Sequence, residues 1–112
     1  MITSSLTANL TNKKEKPAIT LLMETDTSKE IRIVFQKSQE MKEHSTPKPI
    51  VIEIFEGEIK FGIHKEELHL KKGDLIALEA SVPHNLLCIE DAIVRLTIAK
   101  TAAISRVNKI VS

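Results

Sequence analysis

The chain contains no tryptophan, no tyrosine, a single cysteine and almost no surplus of charge. With Phe35, Phe55 and Phe61 as its only aromatic rings, it has no platform on which the bases of a nucleic-acid strand could stack. Sixteen Lys and Arg stand against fifteen Asp and Glu, a net charge of +1, and the two signs are interspersed. No basic stripe is left to neutralise phosphates, which argues against a nucleic-acid partner. Long apolar runs are missing too. The longest, Leu75–Leu78 and Leu86–Ile89, are four residues each, whereas crossing a bilayer takes about 20, so no membrane span is expected. Residues 1–16 lack the basic start and apolar stretch of a secretory signal. Cys88 has no partner for an internal disulfide. Both features point to the cytoplasm.

What is present is enough for one modest domain: 112 residues, the size at which a single core forms. Residues 1–16, rich in Ser, Thr, Asn and Lys, read as an N-terminal arm that is flexible or covers a partner, and 17–112 as the single domain. The domain breaks into short β-type segments. They are Ala18–Met23, Ile31–Phe35, Ile50–Phe55, Glu58–Ile63, Glu67–Leu70, Leu75–Leu78, Asn85–Ile89 and Ala92–Ala99. Turns are expected at Glu56-Gly57, His64–Glu66, Lys72-Gly73-Asp74 and Glu90-Asp91. About eight strands at this spacing indicate an all-β sandwich or closed barrel. Thr101–Val111 carries apolar residues near helical spacing but is β-branched, so a short C-terminal helix and a further strand are both open.

Two histidines stand where chemistry could gather. His44 precedes Pro47 at the entry to one strand, and His84 follows Pro83 at the start of another. Alternation puts His44, Thr46, Ile50 and Ile52 on one face, and His84, Leu86 and Cys88 on one face of the later strand. If both faces point inward, the imidazoles meet at the barrel mouth. His64 falls in a turn and His69 on a solvent face, and Cys88 reads as a small buried apolar group rather than a nucleophile. Glu53 and Arg95 are expected on outer faces, where they can pair across strands. No nucleophile triad order, phosphate loop or nucleotide fingerprint is present.

The stretch from Ser38 to Cys88 resembles the two motifs of the cupin barrel family. Glu43-His44-Ser45-Thr46-Pro47 followed by Ile54-Phe55-Glu56-Gly57-Glu58 is similar to the first motif, and Gly73 through His84 to the second. His44, Gly57, Gly73 and His84 match; Ser38, Thr46, Ile50, Glu79, Ser81 and Cys88 stand where the family has Gly, His, Glu, Pro, Gly and Asn. The resemblance implies a double-stranded β-helix, or jelly-roll barrel, and usually a dimer. In the family three histidines and one glutamate hold a divalent transition metal, and His44 and His84 are the two of that set present here.

The expectation is therefore a small-molecule-binding stand-alone domain, with His44 and His84 as polar anchors and Thr46, Ile50, Ile52, Leu86 and Cys88 around them. That lining suits a small, partly apolar or anionic ligand. A divalent metal (Zn, Ni, Fe or Mn) would be held weakly by two imidazoles, with Glu43, Glu53 or Glu79 as carboxylates from elsewhere. Two alternatives stay open. One is a metal-dependent enzyme of the isomerase, dioxygenase or decarboxylase kind, and the other a dimeric regulatory or interaction module.

Overall fold

The computed structural model describes residues 1–100, which form seven strands and no helix. They are β1 (Ala18–Glu24), β2 (Ser28–Phe35), β3 (Glu40–His44), β4 (Ile50–Ile63), β5 (Glu66–Lys71), β6 (Leu75–Leu78) and β7 (His84–Ala99). The C-terminal helix-or-strand alternative concerns residues outside the described ones.

All pairings are antiparallel, in the order β1-β2-β7-β4-β5, with β3 added on β7 and β6 on β4. Two long strands organise this arrangement. Along one edge β4 pairs first with β6, through Ile50–Glu53, and then with β5, through Glu58–Ile63. Its other edge follows β7 from end to end. In the same way β7 pairs with β3 near its start and with β2 over its second half. One sheet thus rolls over on itself into a jelly roll, and its inner face holds the core. Ile52, Ile54, Ile59, Phe61, Phe35 and Val94 are each at most 2% exposed there.

The sequence pattern misplaces two turns. Glu56-Gly57 and Glu90-Asp91 do not reverse the chain: β4 and β7 run straight through them, still paired with each other. The register slips at three points between Ile54 and Ile59, so these are bulged corners where the sheet bends. Gly57 makes the bend feasible. Its φ is +87°, and a Cβ there would lie 2.2 Å from the Asp91 carbonyl oxygen and 2.6 Å from Ala92 Cα. At Gly57 a turn residue marks the corner because this bulge needs the same left-handed backbone as a tight turn, whereas Glu90 and Asp91 bend β7 without positive φ. The expected turn at Gly73 is present, with φ +93° and the Lys71 carbonyl accepting from Asp74 N–H at 2.9 Å. His64 sits in the β4–β5 turn at φ +57°.

β3 is the element the pattern does not show. Its residues, Glu-Met-Lys-Glu-His, are exposed except for half-buried Met41, so no period-two signal marks it.

Residues of the arm lie against the sheet. Arg32, on the face of β2 opposite Ile33 and Phe35, is buried and donates to the carbonyls of Ser5, Ala8 and Asn9. Farther along, the Gln39 amide donates to the Lys13 carbonyl. No described helix is long and apolar enough to cross a membrane.

Candidate functional site

β3 and β7 bring the two histidines together because His44 and His84 are direct cross-strand partners. Their ring centroids are 4.4 Å apart, with planes inclined by 54°. A bulge between Met41 and His44 breaks the alternation of β3, so both side chains line the same cavity. Proline at position 83 then starts β7 with His84 as its first residue. His84 is 3% exposed and stacks near Phe61, with centroids 5.6 Å apart, while His44 is exposed at the mouth.

Each imidazole is fixed in the same way. His44 Nδ1 donates to the Lys42 carbonyl at 2.7 Å, and His84 Nδ1 to the Val82 carbonyl at 2.9 Å. A carbonyl can only accept, so in both neutral rings the proton is on Nδ1 and Nε2 is left as a lone-pair acceptor. Burial pushes the His84 imidazole below the usual histidine value and the neighbouring His44 lowers it further, against the raising effect of the Val82 carbonyl. The neutral, accepting form is thus favoured at His84.

Below the pair is a narrow apolar space of about 30 Å³. Its lining contains His44, Thr46, Ile50, Ile52, His84 and Leu86, six of the residues singled out from the sequence. Ile33, Met41, Val94 and Leu96 complete it. Met41 escapes a sequence reading because strict alternation puts it opposite His44. Val94 and Leu96 carry a visible signal, the alternation of Ala92–Ala99, but nothing in it ties them to the histidines.

Cys88 does not line this space. It is in the core, 2% exposed, and its Sγ donates to the Glu90 carbonyl at 3.0 Å. Burial, with the nearby Asp91 and Glu90 carboxylates, pushes the thiol up to about 11, which leaves no nucleophilic thiolate near neutral pH. His69 is exposed, with Nε2 2.8 Å from Glu58 Oε2. Glu53 and Arg95 are cross-strand partners, 3.7 Å apart at their charged groups.

The fold implies a metal, and the donor set tests the fit. Among the described residues no three His, Cys, Asp or Glu side chains stand together as a ligand group. Thr46 and Ile50 occupy the other two positions that the motif would use. A structural or catalytic metal is ordinarily held by three or four protein ligands. Two imidazoles therefore do not fit a tightly resident ion, although their Nδ1-to-carbonyl bonds resemble the outer bonds of metal-ligating histidines.

The comparisons agree on the fold. Residues 31–100 match the family described as Cupin domain. An RmlC-like cupin protein from Desulfovibrio desulfuricans superposes with TM-score 0.80 at 24% identity, covering 88% of this chain and 96% of that one. A Thermus thermophilus protein gives TM-score 0.79 at 20% identity, covering 88% and 98%. A conserved protein of unknown function from Streptococcus pyogenes gives 0.75 at 23%, covering 88% and 87%. No curated protein matches the sequence. A family match over more than half the chain, together with a jelly roll of the same form, makes this protein a member of the cupin domain family.

Proposed function

We propose that this cupin domain binds a small molecule by a hydrogen-bond-donating head group, held between His44 and His84. The observation that carries the reading is the shared tautomer: both Nδ1 atoms are committed to carbonyls, and both rings, each keeping Nε2 as an acceptor, line one apolar cavity. While the imidazoles are neutral, such a pair recognises a hydroxyl, amine or ammonium better than a carboxylate. The enclosed space of about 30 Å³ has room for about one or two waters. Only the head group enters, therefore, and the rest of the ligand stays at the mouth beside His44, Met41 and Thr46.

Thermal melting against short diols, primary amines and amino alcohols, with matched carboxylates as controls, tests this. Donor compounds should raise the midpoint at neutral pH, and His44→Ala, a change at an exposed side chain, should abolish the rise. No stabilisation by any donor, or an unchanged response in the variant, would refute the reading. A stoichiometric metal that survives chelation in protein purified without a histidine tag would favour metal-dependent chemistry instead.

We further propose that two copies pair through β1, the terminal strand of the sheet.

A further inference from the structure

On the opposite face of the sheet Arg32 is a buried cation with no anion. It is 3% exposed, and no carboxylate pairs with it among the described residues. Its direct cross-strand partner on β7 is another arginine, Arg95. The two differ in their surroundings. Arg95 Nε lies 3.2 Å from Glu30 Oε1, and its Nη1 lies 3.7 Å from Glu53 Oε1. Like charges opposite one another are unfavourable, and here only Arg95 is neutralised. A buried charge without a counter-charge is costly unless something else compensates it.

The arm compensates only in part. Arg32 Nη1 donates to the carbonyl oxygens of Ala8 at 2.8 Å and Ser5 at 3.4 Å, and Nη2 to that of Asn9 at 3.3 Å. Two of these three contacts are long. A guanidinium has five N–H donors. One Nη2 hydrogen has no protein acceptor here, and the Nε–H is buried and unbonded. Arg32 also forms part of the wall of a cleft of about 600 Å³ between the arm and β1, where hydroxyl and amide side chains such as Thr3, Ser4, Asn9 and Thr20 alternate with apolar Leu21 and Leu22.

We infer that this cleft is a binding site for a small oxyanion, a carboxylate or phosphate group, with Arg32 as its base. The anion takes the place of the loosely held Ser5 and Asn9 carbonyls and engages the guanidinium through the donors now unmatched. The fork of Arg suits two oxygens of one group, and hydroxyls of the arm can donate to the remaining oxygens. Arg32 is then neutralised by its ligand, and the arm acts as one wall of the site. This site is independent of the histidine pair.

The test follows the Nε–H resonance of Arg32 in the whole chain, which has only three arginines. Arg95→Lys and Arg106→Lys assign the spectrum and leave Arg32 untouched. Inorganic phosphate and succinate are titrated separately at constant ionic strength, at about pH 8, where imidazoles are neutral. A saturable shift of the Arg32 signal with phosphate, succinate or both is expected, and the more effective probe identifies the class. By calorimetric titration with that anion, Arg32→Lys should bind about tenfold more weakly than the wild type, because Lys lacks the fork. An unmoved signal with both anions at millimolar concentration, or the same response to chloride, would overturn the proposal and leave Arg32 as an anchor for the arm alone.

Discussion

Because burial and the adjacent His44 hold the His84 imidazole below the ordinary histidine value, folding and protonation oppose each other at this residue. Above about pH 6.5 the ring is neutral in both folded and unfolded chains, and His84 contributes no pH dependence. As the pH falls below that value the unfolded chain takes up a proton that the folded one refuses. Stability attributable to His84 is therefore lost on acidification until the lower folded pKa is reached, at up to about 1.4 kcal/mol per pH unit. Urea unfolding between about pH 7.5 and pH 5 should show this decline in the wild type and a shallower one in His84→Gln. Parallel curves would mean that other groups carry the dependence. At this scale the sequence anticipated that the two imidazoles meet, but not how: His84 does open its strand after Pro83, whereas His44 closes β3 instead of opening the strand after Pro47. It did not reveal the tautomers, because the carbonyls of Lys42 and Val82 are brought to the rings by backbone conformation, which residue identity does not encode.

Strands whose faces differ in polarity were legible, and strands without that difference were not. Glu58–Ile63 and Glu67–Leu70 alternate because one side meets the core and the other meets water. β3 has solvent on most of its surface and so carries no such pattern. The corners were ambiguous for another reason: Glu56-Gly57 has the composition of a turn, and only the continuous partner β7 makes it a bulge. The distinction has a measurable consequence. Both Gly57 and Gly73 have positive φ, so Ala at either is strained by roughly 1 kcal/mol. At Gly73 nothing lies within 4 Å of an added Cβ, whereas at Gly57 it would collide with the backbone of Asp91 and Ala92. Gly57→Ala should cost several kcal/mol or prevent folding, and Gly73→Ala only about 1 kcal/mol. Denaturant midpoints of the two variants decide the matter. Equal losses would mean that the strand corner can relax away from the contact.

For the molecule as a whole, the rolled sheet follows from short β segments and turn signals, but the face on which the arm lies does not. Arg32 is the one charged residue of Ile31–Phe35, and it is buried where the arm returns to cover it. The arm runs beside β1 as well, but across a cleft, and leaves apolar side chains of that strand largely in water. In register, Ile19 and Leu21 of β1 oppose Ile33 and Ile31, so they share the inner, core-facing side, yet they are 57% and 53% exposed. An uncovered apolar terminal strand invites a second copy. Completing the burial of each side chain is worth about 1 kcal/mol, half of the value for a fully exposed one, so a symmetric pair gains about 4 kcal/mol from these four residues. Association itself costs at least that much, which makes the hydrogen-bonding edge of β1 necessary to the dimer as well. Sedimentation at tens of micromolar, where weak dimers form, should return twice the chain mass. Leu21→Glu should return a single chain with an unchanged circular dichroism spectrum, since the side chain is already half in water. A wild type that sediments as a monomer would show that the β1 edge is tolerated bare, and would leave the exposed Ile19 and Leu21 without a partner in this assembly.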